Sequence, residues 1–155
     1  MTRNQSTATC INYELEVDFA ASITSVWEAL LQETNLWWSS DFHMVGPDSY
    51  VELDTEPGGK GLVETAPDGS FLQWYHVQAF LPEQRKIFLI GFLAPEYGGP
   101  STSSLRLSLE PTDDGCKLMI QDSHVGDVNT QTAESMAEGW SVVFGDGLKK
   151  HVDAK

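Results

Sequence analysis

An acid and an imidazole stand two residues apart in "CKLMIQDSHV", residues 116–125. If this stretch is a strand, alternation puts Cys116, Leu118, Ile120, Asp122 and His124 on one face. The face begins apolar and ends in a carboxylate and an imidazole close enough to be bridged by one substrate or one water. At the end of a pocket, such a pair can bind a polar group or serve as general acid and base. Asp122 and His124 are thus the candidate catalytic pair. The competing expectation is an ordinary strand end, with the chain leaving the core after Gln121 and both side chains solvated.

Two aromatic stretches could line such a pocket. In "TNLWWSSDF" neither strand alternation nor a single helical face turns both Trp37 and Trp38 the same way. One ring is expected in the core. Trp38, followed by Ser39, Ser40 and Asp41, is expected at a cavity mouth or at the domain surface. In "FLQWYHVQAF", residues 71–80, both faces are bulky. If Gln73 and Tyr75 face inward they add hydrogen-bonding groups to an apolar pocket and His76 lies outside. A one-residue slip reverses that choice, so the inward face stays open.

Other chemistries lack their residues. His43, His76, His124 and His151 are scattered, and Cys10 and Cys116 have no zinc-ligand spacing, so no metal and no cofactor is expected. Both cysteines are expected as buried free thiols, with a disulfide between them as the alternative. "EPGGKG" lacks the phosphate-loop pattern and joins strands. There is no Gly-x-Ser-x-Gly elbow. With 23 acidic against 9 basic side chains the formal charge is −14, a field that repels nucleic acid and anionic lipid. "MTRNQSTATC" has no apolar signal core, and no run approaches the roughly 18 apolar residues of a membrane span. The expectation is a cytoplasmic protein without membrane insertion.

The elements that would position these residues can be read from periodicity. "INYELEVDF", residues 11–19, alternates strictly, with Ile11, Tyr13, Leu15, Val17 and Phe19 on one face. "AASITSVWEALLQET" changes to helical spacing behind Ser22 as N-cap, and "TNLWWSS" is a short helical turn. Strands are expected near 49–55, 61–66, 70–80, 86–93, 103–110 and 116–124. Short joins such as "APDGS" and "EPTDDG" make them an antiparallel meander. "APEYGGPSTS", 94–103, is the candidate mobile rim. From Thr130 to His151 one long helix is expected, with Ala133, Met136, Ala137, Trp140, Phe144 and Leu148 as its apolar stripe. Gly139 would allow close approach to the sheet. The whole, residues 1–155, is one α+β domain, with residues 1–9 expected to be flexible. Apolar residues on both faces of 71–80 and 87–93 predict a homodimer through the outer sheet face, the alternative being strong curvature that lets N-terminal or loop residues cover the patch.

At this point the chain resembles the START-related, helix-grip superfamily, also described as SRPBCC or Bet v 1-like. Within it the chain is most similar to the subfamily related to the C-terminal domain of the Hsp90 ATPase activator. The resemblance is carried by "ASITSVWEALLQETNLWW", "ELDTEPGGKG", "VQAFLPEQRKIF", "SLRLSLEPTDDGCKLMIQDSHVG" and "AEGWSVVFGDGLKKHV", which together span nearly the whole chain. It implies a curved sheet of six or seven strands wrapped around the C-terminal helix, with two short helices after the first strand and an apolar cavity between. Gly58-Gly59 match its strand-connecting glycines and Gly139-Trp140 its helix signature, and both speak to fold. "FLQWYHVQAF" departs from it in aromatic bulk, which bears on cavity size. Many relatives bind small hydrophobic molecules, others are cyclases or hydrolases, and no metal or universal catalytic residue is implied.

The leading expectation is uptake of a small hydrophobic or aromatic ligand between helix and sheet. Its wall would comprise Trp38, Gln73 and Tyr75, then Leu118, Ile120, Asp122 and His124, and from the helix Met136, Trp140 and Phe144. A cyclase, dehydratase or hydrolase using the same cavity is one alternative. A chaperone-accessory or other protein-interaction module is the second.

Overall fold

The computed structural model describes residue 5 and residues 7–155. The flexibility expected for residues 1–9 falls in part outside the described residues, and Thr9 already opens the first strand. Seven strands form one antiparallel sheet in the order β1-β7-β6-β5-β4-β3-β2. They are β1 (Thr9–Phe19), β2 (Tyr50–Asp54), β3 (Gly61–Thr65), β4 (Phe71–Leu81), β5 (Lys86–Leu93), β6 (Ser101–Thr112) and β7 (Gly115–Gly126). Helices α1 (Ile23–Gln32) and α2 (Thr34–Trp37) carry the chain from one edge strand to the other. The Ser22 side chain accepts from the Ser25 amide at 3.2 Å and caps α1, as its residue type predicts.

Register explains which side chains turn inward. Tyr13, Asp122, Leu105, Leu89 and Val77 form one cross-strand row, and Ile11, His124, Ser103 and Gly91 form the next. On the other side lie Leu15, Ile120, Leu107, Ile87 and Phe80. Cys10 pairs with Val125 and Phe19 with Cys116. The two thiols therefore sit at opposite ends of the strand pair. Cys116 is buried as expected, but Cys10 is exposed, because it alternates with the inward Ile11.

Residues 71–80 do not keep a single inward face. The pairing of Leu62 with Tyr75 and Val63 with Gln73 leaves Trp74 as an extra residue, and a second shift falls between Val77 and Ala79. Each bulge reverses the alternation. Leu72 and Trp74 point in before the first, Tyr75 and Val77 after it, and Phe80 after the second. Trp74 is partly buried against the core, and the Phe80 ring stacks on Trp27 at 5.9 Å between centroids. His76 is exposed. The outer face is consequently less apolar than strict alternation predicts. Phe71 and Phe92 remain exposed there, while Phe88 lies under the Arg106 guanidinium at 5.9 Å.

The C-terminal segment is one continuous rod, but not one regular helix. It is α-helical over α3 (Thr130–Trp140), π-helical over Ser141–Lys149 and α-helical again over α4 (Lys150–Asp153). The Asn129 side chain caps its start, accepting from the Thr132 amide at 2.9 Å. Gly147 packs on α2 so closely that a Cβ would stand 2.4 Å from the Trp37 carbonyl oxygen. That approach, and not one of Gly139 to the sheet, is what a glycine permits here. Gly139 faces the Phe42 ring instead, where a Cβ would lie at ordinary contact, 3.4 Å. Trp140, Val143, Phe144, Leu148 and Val152 are buried, whereas Ala133, Met136 and Ala137 are only half-buried. The rod meets packed side chains along its second half and open space beneath its first.

Candidate ligand-binding site

That space is a cavity of about 720 Å³ between α3 and the β4–β7 part of the sheet. Phe42, Met44, Leu72, Trp74, Leu93 and Met136 supply much of its apolar wall, and Gln73, Ser103 and His124 are among its polar groups. Met44, Phe92 and Tyr97 are the exposed large hydrophobic residues at its rim. The rim includes Glu96, Tyr97 and Gly98, so "APEYGGPSTS" lies at the mouth, as its composition suggested. The volume is in the range that holds a small organic molecule.

The inner wall ends in a carboxylate held by four donors. Asp122 is 1% exposed and His124 3%, which rules out the solvated strand end. Tyr13 Oη donates to Asp122 Oδ2 at 2.6 Å, and Trp140 Nε1 donates to the same oxygen at 3.3 Å. Ser103 Oγ donates to Oδ1 at 2.7 Å. His124 Nε2 lies 2.9 Å from Oδ2. Tyr75 Oη is 2.8 Å from Ser103 Oγ. Burial works to raise the Asp122 pKa, but the combined hydrogen bonds of His124, Tyr13 and Ser103 hold it below its ordinary value of 3.8. Burial first, and then the Asp122 charge, drive the phenols of Tyr13 and Tyr75 upward, so both remain protonated donors.

The imidazole is constrained by its partner. A carboxylate only accepts, so Nε2 must carry the ring proton that faces Asp122. His124 Nδ1 is buried and has no hydrogen-bond partner among the described residues. An ionised acid that fixes one nitrogen of an imidazole and leaves the other free is the arrangement of an oriented base.

A second buried carboxylate stands near the other side of the cavity. Glu64 on β3 is fully buried and accepts from the Val45 amide at 2.9 Å, Ser49 Oγ at 2.7 Å and Trp74 Nε1 at 3.1 Å. Its burial raises its pKa, and these bonds more than offset that, leaving it lowered. His43 Nδ1 reaches Ser49 Oγ at 2.7 Å. These bonds tie the 43–49 loop and Trp74 to β3, and so support the wall.

The predicted site residues divide cleanly. Gln73, Tyr75, His124, Met136 and Trp140 line the cavity, with Asp122 directly behind Ser103, His124 and Trp140. The Gln73 amide nitrogen, however, is spent on backbone carbonyls, including Tyr75 at 2.9 Å. Leu118, Ile120 and Phe144 lie instead in the packed core. Trp38 is not at the mouth. Its ring is buried, packs 5.4 Å from Trp74, and donates to the Phe42 carbonyl at 3.1 Å. Trp37 is buried too, and donates to the Ala29 carbonyl at 2.8 Å. Both rings turn inward because α2 ends between them. Trp38 is extended, at φ −61° and ψ 127°, so one helical face no longer governs the pair. Sequence reading missed Phe42, Met44, Trp74 and Ser103. Ser103 alone had a signal, a small polar position in phase with Leu105 and Leu107.

Comparison with known proteins agrees with this architecture. The family model described as "Activator of Hsp90 ATPase homolog 1-like protein" matches residues 20–153. No curated protein matches the chain. Among solved structures, an uncharacterised protein from Rhizobium leguminosarum aligns at TM-score 0.70 and 18% identity, over 96% of this chain and 98% of its own. A Mesorhizobium loti protein aligns at TM-score 0.66 and 19% identity, over 94% and 98%. Ara h 8.0201 aligns at TM-score 0.68 and 13% identity, over 95% and 100%. The fold is helix-grip, of the SRPBCC or Bet v 1-like kind. On the span of the family match, the chain belongs to the Activator of Hsp90 ATPase homolog 1-like protein family.

Proposed function

We propose that the chain binds a small, largely hydrophobic molecule in the cavity between the C-terminal rod and the sheet. The observation that carries this reading is the roughly 720 Å³ left open beneath α3 by a chain that packs the rest of its core tightly. An apolar wall with a few convergent polar groups is the usual form of a ligand site. The fold is one whose members commonly take up hydrophobic ligands. Titration with the fluorescent probe N-phenyl-1-naphthylamine is expected to show saturable one-to-one binding, and native mass spectrometry is expected to show a retained molecule. Gly139→Leu sharpens the test, since position 139 lines the cavity. Leu is favoured over Gly in a helix by roughly 0.8 kcal/mol. The variant should therefore keep its stability while losing at least about tenfold in affinity, which is about 1.4 kcal/mol. Unchanged affinity in a folded variant sinks the cavity reading.

The oriented imidazole supports a second reading, an enzyme of cyclase, dehydratase or hydrolase type. There His124 Nδ1 takes a proton from bound substrate while Asp122 holds Nε2–H. Undiminished turnover in His124→Ala would remove it. The open cavity favours ligand uptake over a chaperone-accessory role, which the family description alone supports. The exposed Phe71 and Phe92 support weak pairing of two copies through the outer sheet face.

A further inference from the structure

We infer that the inner end of the cavity accepts hydrogen bonds and donates none, so that its ligand is an apolar molecule ending in a neutral hydroxyl and not in a carboxylate. The inference rests on the ligand-binding reading above and specifies its polar half.

The protons directed at Asp122 can be assigned. Tyr13, Trp140 and Ser103 donate to Asp122, and His124 Nε2–H does the same. Because the Ser103 proton is committed to the carboxylate, the bond between Tyr75 and Ser103 must run from Tyr75 Oη–H to Ser103 Oγ. The whole set of donors therefore points away from the cavity, toward one anion. With the imidazole neutral, what these side chains retain is lone pairs, on His124 Nδ1, Tyr75 Oη and Ser103 Oγ. Of these, Nδ1 is buried and unmatched among the described residues, in a ring that lines the cavity. An unmatched buried acceptor is costly until something donates to it.

Charge points the same way. Among the described residues His124 is the one basic side chain within ion-pair distance of Asp122, and no Lys or Arg joins it. A ligand carboxylate or phosphate would meet a fixed negative charge just behind the wall with no donor to receive it. A methyl ether of the same size would leave Nδ1 unpaired. A hydroxyl satisfies Nδ1 and brings no charge.

Isothermal titration calorimetry at pH 8 with three matched probes, 2-naphthol, 2-methoxynaphthalene and 2-naphthoate, tests this. Naphthol should bind about tenfold more tightly than the ether, the value of one well-placed hydrogen bond, and naphthoate most weakly. His124→Phe keeps a ring of similar size and removes its nitrogens, while Tyr13, Trp140 and Ser103 still donate to Asp122, so the preference for naphthol over the ether should collapse to within about twofold. Where that variant does not fold, the ring ¹⁵N resonances of the unaltered protein serve instead. Naphthol should shift Nδ1 and the ether should not. Equal binding of naphthol and ether, or tighter naphthoate, overturns the inference and leaves the cavity reading intact. Failure of all three probes, together with N-phenyl-1-naphthylamine, overturns both.

Discussion

The inner face of one sheet is closed at one end and open at the other. Toward the closed end the rows Leu15–Ile120–Leu107–Ile87 and Val17–Leu118–Leu109 are wholly aliphatic. Leu30 of α1 and Phe144 of the π-helical segment press against this region, with Trp37 and Trp38 beside them, and the residual void is only about 10 Å³. Two rows along the same strands from Ile120, the row Ile11–His124–Ser103–Gly91 borders a space of about 720 Å³. Backbone, alternation and hydrogen-bond ladder are shared, so they do not cause the difference. Side-chain volume and polarity do. Gly91 has no side chain to add, and even a Cβ there would stand 2.8 Å from the Tyr75 ring. Ser103 is small, and a carboxylate already saturated by donors gives an aliphatic cover nothing to match.

The contrast can be tested by disturbing each end separately. The largest effect is expected at the closed end. Leu118→Ala removes a fully buried side chain from a packed neighbourhood and should cost about 2–5 kcal/mol in urea unfolding. Probe affinity in the remaining folded protein should be nearly unchanged. If Leu118→Ala instead abolished binding at full occupancy of the fold, the two ends would not be separable.

At the open end, Asp122→Asn should cost about 1–3 kcal/mol, because its buried donors no longer meet an ionised acceptor. The pH dependence follows from the same group. The folded pKa values of Asp122 and Glu64 are lowered from ordinary values of 3.8 and 4.5. Their stabilisation is therefore complete above those values and is lost as pH falls through the lower folded ones. Unfolding free energy should decline from about pH 4.5 downward, and Asp122→Asn should flatten the part of that decline which Asp122 supplies. Identical acid profiles for the two proteins would show that Asp122 is not ionised in the folded state.

The smallest effect is expected on the outside. Phe92→Ser alters a ring that is 70% exposed and should shift stability by no more than about 0.5 kcal/mol. The proposed pairing of copies predicts a concentration-dependent sedimentation coefficient that this variant removes. A single monomer coefficient for both proteins at all concentrations would dispose of the pairing.

How far the sequence could be read depended on the range of the forces involved. Strict alternation in "INYELEVDF" gave β1 and its inward face, since pleating is a property of each strand alone. Alternation likewise put Asp122 and His124 on one face, and the 3.6-residue stripe placed Met136 and Trp140 toward the sheet. It failed in "FLQWYHVQAF", where two bulges change phase, because a bulge depends on the partner strands as well as on the bulged residues. It failed again at Trp37 and Trp38, whose shared inward turn depends on where α2 stops.

The order of elements, the antiparallel meander, the amphipathic C-terminal rod and the pairing of an acid with an imidazole on β7 were determined by the sequence itself. Each follows from local periodicity and turn chemistry. The tertiary structure decided that Asp122 is buried, that Tyr13, Ser103, His124 and Trp140 converge on it from three strands and the rod, and that space remains beside them. Those outcomes depend on how distant side chains fill or fail to fill one volume, and no window of neighbouring residues contains that sum.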